Sequence, residues 1–203
     1  MMITNPYKHV TFLKSVAKIA QLPPEIGMEV AFVGRSNSGK SSALNTLTEN
    51  KRLARTSKQP GRTQLINLFT LDVKRRLVDL PGYGYAKVAR SIQRDWQQLL
   101  TDYLHYRQSL TGLILIMDCR HPLTSLDEVL LNAAKARNLM VHILLTKADK
   151  LSKSQQIATT LKVQKALSDY KQNISVQLFS ALKKIGVEDL VAKLNTWFEL
   201  PIE

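Results

Sequence analysis

Acidic side chains are scarce in this chain: 16 Asp+Glu stand against 29 Lys+Arg, a formal net charge of +13. A deficit of that size is unusual for an ordinary metabolic enzyme and calls for a polyanionic partner. Cysteine is scarcer still. The single Cys119 excludes an intrachain disulfide, and a lone thiol beside an apolar run reads as core. No apolar run approaches the ~18 residues that cross a bilayer, so no membrane span is expected. Met1 to His9 are polar and carry no apolar export core, so the expected location is the cytoplasm. Repeats and low-complexity tracts are absent too, which leaves one globular unit with 44% hydrophobic and 22% charged residues.

What is present alternates. Short apolar runs at Val30–Val33, Leu113–Met117, Val141–Leu145 and Ile174–Phe179 read as buried strands, and Leu65–Val73 with Arg76–Leu80 as a pair joined by a basic turn. Lys74, Arg75 and Arg76 at that turn read as a solvated face. Helical periodicity fills the intervals at Lys40–Glu49, Ser91–Arg107, Ser125–Ala136, Ser154–Ser168 and Gly186–Phe198. The pattern predicts an α/β fold: a mostly parallel six-stranded sheet with helices on both faces. Ahead of it, Phe12, Val16 and Ile19 followed by Pro23 and Pro24 suggest a short helix in an N-terminal extension over residues 1–27. The main unit then spans 28–203.

Directly after the first apolar run stand Gly34, Arg35, Ser36, Asn37, Ser38, Gly39, Lys40 and Ser41, followed by Ser42, which fit G-x-x-x-x-G-K-[ST]. Small residues let successive N–H groups curl around a phosphate, and the helix starting near Gly39 adds its positive end. Lys40 neutralises β/γ oxygens, and Ser41 can ligate the Mg²⁺ that accompanies a nucleoside triphosphate. A triphosphate accounts for only a few of the excess positive charges, so RNA is the candidate for the rest.

The phosphate loop alone leaves ATPase, small-molecule kinase and GTPase open. Asp79, Leu80, Pro81 and Gly82 end a strand as D-x-x-G, where Asp79 can hold Mg²⁺ through water and the Gly82 N–H can reach a γ-phosphate. Thr146, Lys147, Ala148 and Asp149 fit [NT]-K-x-D. The Asp149 carboxylate suits the N1–H and N2–H₂ donors of guanine and rejects adenine, which has neither. Phe179, Ser180 and Ala181 end the last strand in the short loop whose N–H meets guanine O6. The ordered set favours GTP and GDP over ATP.

Together with Ser57 to Asn67, Asp79 to Ala86, and Asp118, Arg120, His121 and Pro122 with Asp127, these elements resemble the EngB (YihA/YsxC) family of bacterial ribosome-assembly GTPases. Gln59 departs from the threonine of many relatives, and nothing functional depends on it. The resemblance implies a P-loop NTPase of Ras-like, three-layer α/β/α type. It implies further that Thr63 ligates Mg²⁺ and senses the γ-phosphate. Gly61, Arg62, Gln64 and Leu65 then complete the nucleotide contacts, and the mobile segments are Ala54–Thr63 and Gly82–Ala89.

Tyr83 stands where Ras-like proteins carry the water-orienting glutamine, so slow intrinsic hydrolysis is expected, with Lys40, Thr63, Gly82 and Asn37 as the catalytic set. Related GTPases with an asparagine at the Asn37 position often bind K⁺ near the phosphates, which makes K⁺ a candidate. The basic residues Lys51, Arg52, Arg55, Lys58, Lys87, Arg90 and Arg94 flank the two switches and suit ribosomal RNA of a large-subunit precursor. A role in septation follows by resemblance, a monomer is the default, and the alternative is a nucleotide-dependent RNA-binding module with negligible turnover.

Overall fold

Within the strand Met28–Gly34 the stretch Val30–Val33 is apolar on both sides because both are buried: Val30 and Phe32 pack into one core, Ala31 and Val33 into another. This strand, β2, is central to the sheet in the computed structural model. The structure describes residues 5–54, 65–84 and 90–201, with the backbone alone described for 90–96 and 171–172. The remaining strands are β1 (Thr11–Val16), β3 (Ile66–Thr70), β4 (Arg75–Asp79), β5 (Leu110–Asp118), β6 (Met140–Thr146) and β7 (Ile174–Leu178). Their order is β1-β3-β4-β2-β5-β6-β7, antiparallel across β1/β3/β4 and parallel from β4 onward.

Helices α1 (Lys40–Leu47) and α5 (Val187–Trp197) cover one face through Leu44, Leu47, Leu190 and Leu194. On the other face α2 (Arg90–Tyr106), α3 (Ser125–Ala136) and α4 (Lys153–Ala166) bring Tyr103, Leu131 and Val163. The three-layer α/β/α arrangement is the expected one, with the phosphate loop between β2 and α1.

Two expectations are corrected. Among the described residues the sheet has seven strands rather than six, because residues expected to be helical form β1, paired with β3 from Thr11↔Thr70 to Val16↔Ile66. The extension holds two short 3₁₀ turns, Pro6–His9 and Ile19–Gln21, on either side of that strand. Tyr7, fully buried, donates its hydroxyl to Asn195 Oδ1 at 2.9 Å and so ties the first turn to α5. Cys119 is buried as expected, and burial beside Asp118 pushes its thiol up to about 11.

At the N-terminal ends of β2 and β4 an ionic cluster closes the sheet. Glu29, fully buried, accepts from Arg107 at 2.8 and 2.6 Å, from the Tyr103 hydroxyl at 2.8 Å and from Arg76 at 3.3 Å. Arg107 also donates to the Pro23 carbonyl at 2.9 Å, which staples the proline segment to the end of α2.

Candidate functional site

The opposite ends of the same strands open onto a cavity of about 1050 Å³. Arg35, Ser36, Asn37, Gly39, Lys40, Ser41 and Ser42 line it from the phosphate loop, Asp79, Leu80, Pro81 and Gly82 from the end of β4, and Leu65, Ser15 and Asn67 from its flank. The loop's shape follows from its backbone. Gly39 has φ +102° as the N-cap of α1, a conformation closed to most side chains, and Asn37 is left-handed at φ 63°. Gly34 and Ser38 lie beneath the loop, and a Cβ on Gly34 would meet the Ile116 carbonyl at 2.5 Å.

Lys40 Nζ donates to Asp79 Oδ1, so the loop lysine and the D-x-x-G carboxylate are in contact. Ser41 lines the same cavity. Hydroxyl and carboxylate oxygens are the hard donors that Mg²⁺ selects. Among the described residues no group of three or more His, Cys, Asp or Glu could hold a metal ion by itself. The Ser41 hydroxyl and the Asp79 carboxylate on the cavity wall fit Mg²⁺, an ion bound by few protein oxygens that usually keeps waters and substrate phosphates as its other ligands. Thr63, Gly61, Arg62 and Gln64 lie outside the described residues, as do the basic positions Arg55, Lys58 and Lys87 and the side chains of Arg90 and Arg94.

The T-K-A-D element braces the phosphate loop directly. Thr146 Oγ1 donates to the Ser38 carbonyl and to the Met117 carbonyl, the latter at 3.0 Å. Lys147, left-handed at φ 60°, donates to the Asn37 carbonyl at 2.7 Å and to Asp118 at 2.9 Å. Burial alone would raise the Asp118 carboxyl, but the hydrogen bonds from Arg120 and Lys147 outweigh it and hold the group well below the usual carboxylate range. Asp149 Oδ1 accepts from Ser180 Oγ at 2.5 Å, which brings the [NT]-K-x-D and S-A elements together. The Ala148 N–H donates to the Phe179 carbonyl at 3.1 Å. The side chains of Ala148 and Phe179 are buried, so these two residues can offer a base only backbone.

Tyr83 is turned into the protein. It is 2% exposed, its hydroxyl donates to Asp127, and its carbonyl accepts the Ser36 N–H at 2.7 Å. Asp127 also accepts from the backbone and hydroxyl of Thr124 at 2.7 and 2.8 Å as the capping box of α3. The T-x-x-D spacing of that box is readable in the sequence. Its reach to Tyr83, 44 residues away, is not.

A model of the 50S ribosome-binding GTPase family matches residues 29–147. Probable GTP-binding protein EngB of Aromatoleum aromaticum is 53% identical over 195 residues, covering 96% of this chain and 90% of the relative. The chain belongs to the EngB family of GTP-binding proteins. The EngB of Escherichia coli O139:H28 is likewise 53% identical over 192 residues, 95% of this chain and 91% of its own length. The crystal structure of a probable GTP-binding protein EngB, 18% identical, superposes with a TM-score of 0.68 over 85% of this chain and all of that one, a likeness of fold. The family gives the site its ligand class, guanine nucleotide on a P-loop GTPase fold. Among the described residues no helix is long and apolar enough to cross a membrane.

Proposed function

We propose that the chain is a slow, Mg²⁺-dependent GTPase switch that acts in the cytoplasm on the assembly of the large ribosomal subunit and is needed for normal septation. Residues 28–203 form the GTP-binding unit, with 1–27 as its extension. The observation that carries the reading is the contact of Asp149 with Ser180 on a frame that also braces the phosphate loop, through Thr146 to Ser38 and Lys147 to Asn37. Base and phosphate recognition in this reading share one hydrogen-bonded frame.

In this reading Asp149 pairs with the guanine N1–H and N2–H₂, while the N–H groups from Arg35 to Ser41 and the Lys40 ammonium take the phosphates. Ser41 and Thr63 would hold Mg²⁺, with Asp79 reaching it through water, and the ion when bound would supply positive charge to the phosphates. Gly82 offers its N–H to the γ-phosphate. Slow hydrolysis is supported by Tyr83, whose hydroxyl is committed to Asp127 and away from any attacking water. K⁺ bound through Asn37 would add charge where an arginine finger acts in other GTPases; equal rates in KCl and NaCl at matched ionic strength would exclude it.

The same buried Tyr83 favours the second reading, a nucleotide-dependent RNA-binding module without useful turnover. In either case the +13 charge and the ribosome-binding family support ribosomal RNA as the partner, with the protein a monomer. Turnover measured with and without large-subunit precursors separates the two. The primary test is titration of fluorescent GDP, a GTP analogue and an ATP analogue into parental protein and Asp149→Ala. Guanine-selective binding lost in the variant supports the switch; equal ATP binding unaffected by the substitution removes it.

A further inference from the structure

Three side chains from three adjacent strands form a row on the wall of the cavity. Ser15 on β1 is the paired neighbour of Asn67 on β3, and Asn67 is the paired neighbour of Asp79 on β4. Directly opposite residues in an antiparallel ladder project to the same face, so the row follows from register. Ser15 Oγ donates to Asn67 Oδ1 at 2.6 Å, and Asn67 Nδ2 donates to Asp79 Oδ2 at 3.4 Å. The other carboxylate oxygen of Asp79 is taken by Lys40.

Chemistry fixes the sense of this chain. An ionised carboxylate only accepts, so the Asn67 amide must turn its NH₂ toward Asp79. Its carbonyl then faces β1, where only a donor satisfies it, and Ser15 supplies that donor. The second contact is longer than an ordinary N–H···O bond. The well-formed Ser15 bond is therefore what keeps the amide aimed.

The row also accounts for an oddity of β1, a strand whose first four side chains are exposed and which buries only Val16. Hydrophobic burial gives little reason for a strand there. A polar connection into the nucleotide cavity gives one, and Ser15 lies outside the span 29–147 that the family model matches.

We propose that Asn67, aimed by Ser15, is a positioning residue for Asp79, so that the edge strand β1 sets how strongly Mg²⁺ and guanine nucleotide are held together. The inference rests on the reading of Asp79 as the carboxylate that serves Mg²⁺. Partners that orient a directly ligating group typically change metal affinity about 10–100-fold; Asp79 serves Mg²⁺ through water, so Asn67 stands one step further out and a smaller effect is expected.

The test is the release rate of fluorescent GDP from the full chain as free Mg²⁺ is varied, with EDTA as the zero point. Asn67→Ala should raise the Mg²⁺ needed for half-maximal retention by about threefold, while GDP affinity in EDTA stays at the parental value. Ser15→Ala should shift it in the same direction by less, Ser15→Thr should restore it, and the double alanine variant should behave as Asn67→Ala does. A parental Mg²⁺ response in Asn67→Ala would overturn the proposal. So would effects of the two substitutions that multiply, or a loss of GDP affinity that is equal with and without Mg²⁺. If the parental protein itself holds GDP no better with Mg²⁺ than with EDTA, the reading of Asp79 fails and takes this inference with it. If the parental protein responds and the variants match it, the positioning role alone is wrong.

Discussion

Charge gathers at both ends of the paired strands β2 and β4, and the two ends treat it differently. At the N-terminal end Glu29 is sealed among Arg76, Tyr103 and Arg107, with both carboxylate oxygens hydrogen-bonded. At the C-terminal end Lys40 and Asp79 meet on the wall of an open cavity. The difference is one of exchangeability. A charge closed in with all its partners holds elements together, because no competing ligand can reach it. A pair facing a cavity can give up one partner for an incoming phosphate at little cost, since water and neighbouring donors replace it.

The sharpest test of that contrast is Arg107→Ala. It removes three donors and leaves Glu29 buried with Arg76 and Tyr103 alone, so a loss of about 3–5 kcal/mol of folding stability is expected in urea denaturation. A loss below about 1 kcal/mol would mean that the cluster is not the clamp its burial suggests.

His142 shows a third treatment, burial between neutral hydrogen-bonding partners. It is 3% exposed, its ring nitrogens meet Ser175 and Gln177 at 2.7 and 2.8 Å, and burial drives its pKa down to about 4 against the opposing hydrogen bond it makes to Gln177 Oε1. The unfolded chain takes up the proton near pH 6.5 and the native one only near 4, so stability is full above pH 6.5 and falls as pH drops through that window. The fall should approach about 3 kcal/mol at pH 4. His142→Gln, which keeps polar atoms but does not titrate, should remove that part of the slope in denaturation curves taken from pH 7 to 4.

The upper end of the sheet was far more legible in sequence than the lower. The phosphate loop, D-x-x-G and T-K-A-D are local because each shapes a few consecutive backbone groups around a ligand, and Gly39 and Lys147 have the left-handed conformations such turns require. Glu29 finds Arg107 across 78 residues, and Ser15 finds Asn67 across 52, with no local sign of either. β1 was misread for a physical reason. As an edge strand exposed along most of its length it lacks the alternation that marks a half-buried strand. Its apolar residues Phe12 and Val16, with Ile19 beyond it, fall at helical spacing instead.

Tyr83 qualifies the contrast, since it sits at the open end yet is held by Asp127 as firmly as a core residue. Tyr83→Phe should cost about 2 kcal/mol, the worth of a buried hydrogen bond to a charged group, because Asp127 loses one of its donors. Calorimetric melting of the nucleotide-free protein would read this loss. If Tyr83→Phe is neutral, the hydroxyl does not anchor the segment after Gly82, and the account of slow hydrolysis through a committed tyrosine loses its support.

The smallest effect is the most discriminating. Lys40→Met deletes the ammonium from the Lys40–Asp79 pair, and by the logic applied to Arg107 it too would leave a carboxylate stranded. Asp79, however, lines the cavity and keeps the Asn67 amide, so water can solvate the oxygen that Lys40 vacates. Because Asp79 is only 6% exposed yet faces the cavity, the expected change in urea stability of the nucleotide-free protein is about 1 kcal/mol, while GDP binding falls sharply because the phosphates lose their cation. A destabilisation comparable with that of Arg107→Ala would make Lys40–Asp79 a structural pair, and the loop lysine could not then be released to a phosphate without loosening the fold.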